Sequence, residues 1–131
     1  MKTITRFSLR KRILSFTHAI HGIAIMLKYE HNSRIHLITL LLVTALGLYL
    51  RIAPTEWATI AIVSGMVLVS ELINSAIEDL ADIVNPEWDE KIGRIKDYTA
   101  GAVLVSAIVS IIAGLIIFIP KILILIKPSV A

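Results

Sequence analysis

Trp57-Ala58-Thr59-Ile60-Ala61-Ile62-Val63-Ser64-Gly65-Met66-Val67-Leu68-Val69-Ser70 carries no charge, and it runs without a break into Glu71-Leu72-Ile73-Asn74-Ser75-Ala76-Ile77-Glu78-Asp79-Leu80-Ala81-Asp82. The first half is what a bilayer-crossing helix requires. The second half places carboxylates and an amide at the end of that helix. At about 100° per residue, Glu71, Asn74, Ser75, Glu78 and Asp82 fall within roughly a third of the circumference. A carboxylate at membrane depth costs about 2.5 kcal/mol or more. Such a cost is normally offset by a bound cation, a proton relay or a substrate, so the stripe is where function is sought.

Working outward, Ala53-Pro54-Thr55-Glu56 reads as a turn and helix start, with Thr55 as the expected N-cap and Glu56 at the positive end of the helix dipole. Trp57 stands where an interfacial aromatic anchors. The expected spans are 35–52, 56–84 and 98–119, with Asn85-Pro86 ending the second and Pro120-Lys121 marking the far end of the third. Residues 85–97 read as a charged loop. Residues 1–34 read as an amphipathic surface helix: Ile13, Phe16, Ile20, Ile23 and Leu27 recur at helical spacing, opposite His18, His21 and Lys28. A signal peptide is the weaker reading, because His18, His21 and Gly22 interrupt any apolar core. Small residues in the third span, among them Gly101, Ala107 and Gly114, suit close helix packing.

The chain of 131 residues is therefore expected to be one all-α membrane domain, and its composition agrees: 56% hydrophobic, with a mean hydropathy of +0.82. Three short spans bury little polar interior alone, which favours an oligomer. Cysteine is absent, so there is no disulfide framework and no thiolate metal site. The basic residues Lys2, Arg6, Arg10, Lys11 and Arg12, together with Lys91, Arg94 and Lys96, put the N-terminus and the 85–97 loop on the cytoplasmic side. Lys121 and Lys127 on the outer side disagree mildly. The basic N-terminus suits anionic lipid, and the basic–aromatic interleaving of nucleic-acid binders is missing, so nucleic acid is not an expected partner.

Glu71 and Glu78 lie two turns apart, about 10 Å along the axis. That suits two separate tasks. A carboxylate drawn out of water is a candidate proton acceptor, because its charged form is poorly solvated there; this is Glu71. Glu30, just before the first span, and Glu78 are hard oxygen ligands at similar depth, of the kind that hold magnesium beside a nucleotide phosphate. Lys96 can neutralise phosphate oxygens, and Asp97 can orient that lysine. Base, metal pair and phosphate cation together suit phosphoryl transfer from a nucleotide to a lipid hydroxyl. No GxxxxGK[ST] loop is present, so the nucleotide site is of another design. The blander readings are an interhelix contact for Glu71 and Glu78, a surface pair of Glu30 with Arg34, and ordinary loop charge for Lys96-Asp97.

The run Glu71-Leu72-Ile73-Asn74-Ser75-Ala76-Ile77-Glu78, then Asp82, then Gly93-Arg94-Ile95-Lys96-Asp97, resembles the signature of the prokaryotic diacylglycerol kinase and undecaprenol kinase family. Glu30-His31-Asn32-Ser33-Arg34-Ile35-His36 and Ala100-Gly101-Ala102-Val103 extend the likeness to nearly the whole chain. The resemblance implies a homotrimer of the bacterial inner membrane, each chain with a surface helix and three transmembrane helices, using MgATP. It implies Glu71 as general base, Asn74 as organiser of the catalytic centre, and Glu30 and Glu78 as magnesium ligands. It further implies nucleotide contacts from Lys96 and Asp97, with Glu30, Glu78, Glu87, Trp88 and Asp89 lining that region and Lys11 and His18 on the surface helix. Arg34 and His36 would meet the lipid headgroup. Asn32 and Arg34-Ile35-His36 look more like the undecaprenol branch, since the diacylglycerol branch commonly has an acidic residue where His36 stands. Undecaprenol is the first expected acceptor and diacylglycerol the second. Two rivals from other classes are a small proton or cation transporter that uses the Glu71/Glu78/Asp82 line, and a non-catalytic membrane subunit.

Overall fold

The computed structural model describes residues 8–126; Lys2, Arg6 and Lys127, used above to orient the chain, lie outside the described residues. Four helices follow in order: α1 (Leu9–Tyr29), α2 (His31–Tyr49), α3 (Pro54–Val84) and α4 (Glu90–Ile126). The chain is all-α among the described residues, as expected, and α2, α3 and α4 are long and apolar enough to cross a membrane.

Several boundaries differ from the sequence expectation. The surface helix does not reach residue 34: Glu30 adopts an extended conformation (φ −88°, ψ 119°), and α2 begins at His31. The first span accordingly runs over His31–Tyr49 rather than 35–52. Arg51 then takes a left-handed conformation (φ 51°), so the chain reverses at Leu50–Ala53. Ala53, not Thr55, is the N-cap of α3. Pro54 takes the first helical position, where its missing N–H costs nothing. Glu56, at the third, accepts the Ala53 backbone N–H at 2.6 Å.

The largest difference concerns the charged segment 85–97. Only 85–89 is non-helical; Glu90 to Asp97 forms the first two turns of α4. Asp89 Oδ1 accepts the backbone N–H groups of Lys91 (2.8 Å) and Ile92 (3.1 Å), the orphan donors of a helix start. Asn85 Oδ1 accepts from Glu87 N–H at 3.1 Å and shapes the turn. At the other end α4 passes through Pro120 instead of stopping there.

The buried apolar core sits at one end of the bundle. Ile52, Ile60, Ile117 and Phe118 form it, with Val43, Leu46, Leu50, Trp57 and Ile122 packed around. Trp57 is half-buried rather than a free interfacial anchor. Its ring lies so close to Gly47 that a Cβ there would stand 2.9 Å from Cη2. Lys121 Nζ meets Glu56 Oε2 at 3.0 Å and closes this end. Further along, α3 and α4 are joined by Ser70 and Ser106, whose hydroxyls are 2.9 Å apart; a hydrogen bond of this kind between membrane helices contributes about 0.6 kcal/mol. The polar stripe occupies the opposite end, where His36–Glu71 joins α2 to α3 and Lys96–Asp82 joins α3 to α4.

Candidate active site

Helix α3 has 31 residues. At about 1.5 Å per residue, Glu71 lies about 25 Å along the axis from Pro54, a distance close to the thickness of a hydrocarbon layer, about 30 Å. Glu71 is 3% exposed, the most buried charged residue described. Ile60, Val63 and Val67 precede it on the same buried face of α3. The 3- and 4-residue spacing that packs the helix thus carries the carboxylate inward with the apolar side chains.

The partner of Glu71 comes from α2. His36 Nε2 stands 3.1 Å from Glu71 Oε1. The approach is within ion-pair range but not aligned as a hydrogen bond, so Oε1 is buried without a hydrogen-bond partner. Ser33 Oγ and Asn74 Oδ1 are the other two buried side-chain atoms in that condition among the described residues. Helices α2 and α3 are joined by a short reversal and run antiparallel. One turn from the His36–Glu71 level is therefore the level of Ser33 and Asn74, and a further turn reaches Glu30 and Glu78. Three unpartnered polar atoms on adjoining levels leave hydrogen-bonding capacity for a guest. Ser33, fully buried, was not singled out by sequence reasoning; its spacing of three from both Glu30 and His36 is the signal that could have found it.

Asn74 Nδ2 donates to Glu78 Oε1 at 3.0 Å, which fixes the Glu78 carboxylate and leaves its second oxygen free for other work. Glu30 is half-buried at the α1–α2 junction. Its backbone carbonyl, rather than its carboxylate, receives Arg34 Nε at 3.3 Å, so the surface ion pair of the blander reading is not formed. No group of three metal-ligating side chains occurs among the described residues. Magnesium does not need one, because it commonly takes one or two carboxylates and fills its shell with water and phosphate oxygens. The oxygen donors of Glu30 and Glu78 fit that pattern.

Lys96 pairs with Asp82 across the α3–α4 turn, not with Asp97. Asp97, Glu87 and Trp88 are exposed, Trp88 at 87%. Asp89 spends one carboxylate oxygen on capping α4. Lys11 and His18 lie exposed on α1. Between α1 and α3 a groove of about 580 Å³ is lined by Met26, Tyr29, Glu30, Leu72, Ser75 and Asp79 among others, apolar with an acidic rim.

A buried carboxylate, an amide-fixed second carboxylate two turns further along α3 and a lysine beyond both suit a membrane-embedded enzyme better than a bare helical anchor. The profile of the prokaryotic diacylglycerol kinase family matches residues 17–118, and the chain belongs to that family. It is similar to the undecaprenol kinase of Bacillus subtilis, 34% identical over 116 residues that cover 88% of this chain and 94% of that protein. It is also similar to the diacylglycerol kinase of Synechocystis, 31% identical over 112 residues, covering 85% of this chain and 64% of that protein. The diacylglycerol kinase of Escherichia coli is 40% identical over a shorter stretch of 52 residues. The chain is thus a membrane lipid kinase.

Proposed function

We propose that this kinase moves the γ-phosphoryl group of ATP to the hydroxyl of undecaprenol, with diacylglycerol as the second candidate acceptor. The observation that carries the reading is Glu71: a carboxylate buried to 3% exposure at the end of an uncharged span, with His36 as its charged neighbour among the described residues. The acceptor hydroxyl gives its proton to Glu71. Its oxygen forms the new bond to the γ-phosphorus, and the bond from that phosphorus to the bridging oxygen breaks, its electron pair leaving on ADP. Undecaprenol is preferred because the Bacillus relative is matched over most of both chains and bears that name.

Glu30 and Glu78 would hold magnesium, which when bound neutralises phosphate charge; Asn74 keeps Glu78 in place for that task. Lys96 serves the phosphates, exchanging Asp82 for phosphate oxygen. Asp97, Glu87, Trp88 and Asp89, with Lys11 and His18 from α1, supply the nucleotide's surroundings, and Arg34 meets the headgroup. The N-terminus and the 85–89 turn face the cytoplasm of a cell whose inner membrane holds the protein.

A homotrimer is part of this reading. Ile62, Met66, Val69, Ile73, Ala76 and Leu80 recur at alternating spacings of four and three along α3, and all are exposed. An exposed apolar stripe at this spacing suits a helix packed on its own copies. Leu80, Ile83 and Val84, in the last turns of α3, are exposed apolar side chains as well. The direct test is transfer of labelled phosphate from ATP to undecaprenol and to diacylglycerol, offered separately in mixed micelles with and without magnesium. Labelling of undecaprenol supports the reading. Labelling of diacylglycerol alone replaces the acceptor, and labelling of neither refutes it.

A further inference from the structure

We propose that His36 is a positioning residue for the base: its imidazole, carried on α2, holds the Glu71 carboxylate of α3 in the orientation that meets the acceptor hydroxyl. The inference rests on the lipid kinase reading and assigns to His36 a task other than the headgroup contact expected from sequence. Three observations carry it. His36 Nε2 is 3.1 Å from Glu71 Oε1, and no other charged side chain is paired with Glu71 among the described residues. Glu71 is 3% exposed, so water cannot take over that orienting role. The ring borders a hollow of about 60 Å³ whose walls include Thr39, Ser64 and Ser110, and its side chain is 24% exposed. That is room for water, which would partner the second ring nitrogen and fix the tautomer. The imperfect alignment of Nε2 with Oε1 agrees with a contact that tightens when the substrate arrives, as catalytic hydrogen bonds commonly do. A carboxylate with no such partner rotates freely about its terminal bond and presents either oxygen at many angles; turnover suffers more than binding.

The test uses the full chain in detergent micelles, labelled with 15N-histidine. The chain has four histidines, and His36→Gln identifies the signal of the one in question. Glu71→Gln should shift the His36 ring nitrogens, a readout that needs no turnover. In the transfer assay, His36→Leu should lower kcat by about a hundredfold, the scale of a lost acid–base alignment, with the KM values for ATP and acceptor little changed. His36→Gln, whose amide N–H can reach the same oxygen, should recover most of the loss. Unmoved ring signals overturn the proposal. So does a His36→Leu enzyme that keeps its kcat, or one that loses only acceptor KM, since the ring would then touch lipid. Shifted ring signals in a protein that phosphorylates neither lipid would uphold the pairing and refute the kinase reading instead.

Discussion

Lys96, two turns into α4, is paired with Asp82, near the end of α3, across the five-residue turn at Asn85–Asp89. The pair is half open to solvent, Lys96 at 32% and Asp82 at 64%. An exposed pair of this kind contributes about 0–1 kcal/mol to stability. Its importance lies in where it holds the cation: at the water side of the Glu71–Glu78 line, where nucleotide phosphates would arrive. Asp82→Asn should leave thermal unfolding nearly unchanged, while Lys96→Ala should raise the KM for ATP by at least about tenfold, the worth of one charge-assisted hydrogen bond. Equal losses of stability in both variants, without a change in KM, would make the pair merely structural.

Asn74 and Glu78 form the second relationship. Asn74→Leu removes the amide that fixes Glu78 and should raise the magnesium concentration needed for half activity. Glu78→Gln should raise it further. A metal titration of each variant reads the effect, and unchanged magnesium dependence in Glu78→Gln would remove that residue from the metal's partners.

Gly47 and Trp57 pack together at the end of the bundle that holds the apolar core. A side chain at Gly47 meets the Trp57 ring at 2.9 Å. Gly47→Val should therefore destabilise by about 1–3 kcal/mol, as overpacking does, seen as a lower unfolding temperature. Trp57→Ala should relieve part of that cost, giving a non-additive double mutant. Additive losses would show that the two residues do not compete for the same space.

Asp89 separates structure from binding. Asp89→Ala should cost about 1 kcal/mol through the lost cap of α4, whereas Asp89→Ser keeps a capping oxygen and should cost a few tenths. If Asp89 also lines the nucleotide site, both variants weaken ATP binding. If only Asp89→Ala does, its role is the cap.

Much of the fold was legible in the sequence because lipid imposes a simple grammar. The charge-free run Trp57–Ser70 could only be a span, and Asn85-Pro86 stopped the helix where the structure ends it. Other features lay outside that grammar. Glu90–Asp97 is charged, so hydropathy reads a loop; the capping signal of Asp89 ahead of Lys91 and Ile92 was the better guide. Pro120 suggested an end, yet α4 continues through it. The stripe Glu71–Asn74–Glu78 followed from periodicity within one helix. Which groups meet across helices did not, because register between α2 and α3 is set by the Leu50–Ala53 reversal and by Trp57 seating on Gly47. Hence the contact of His36 with Glu71 and the choice of Asp82 over Asp97 by Lys96 emerge only in three dimensions.

The proposed role of Glu71, acceptor of the lipid hydroxyl's proton, is read by single-turnover phosphate transfer to undecaprenol by Glu71→Gln. The carboxamide keeps the shape of the side chain and cannot take the proton. Transfer should slow by about 10²–10⁴-fold, with ATP binding and oligomeric state unchanged. Transfer by Glu71→Gln at a rate within a few-fold of the parent enzyme would contradict it.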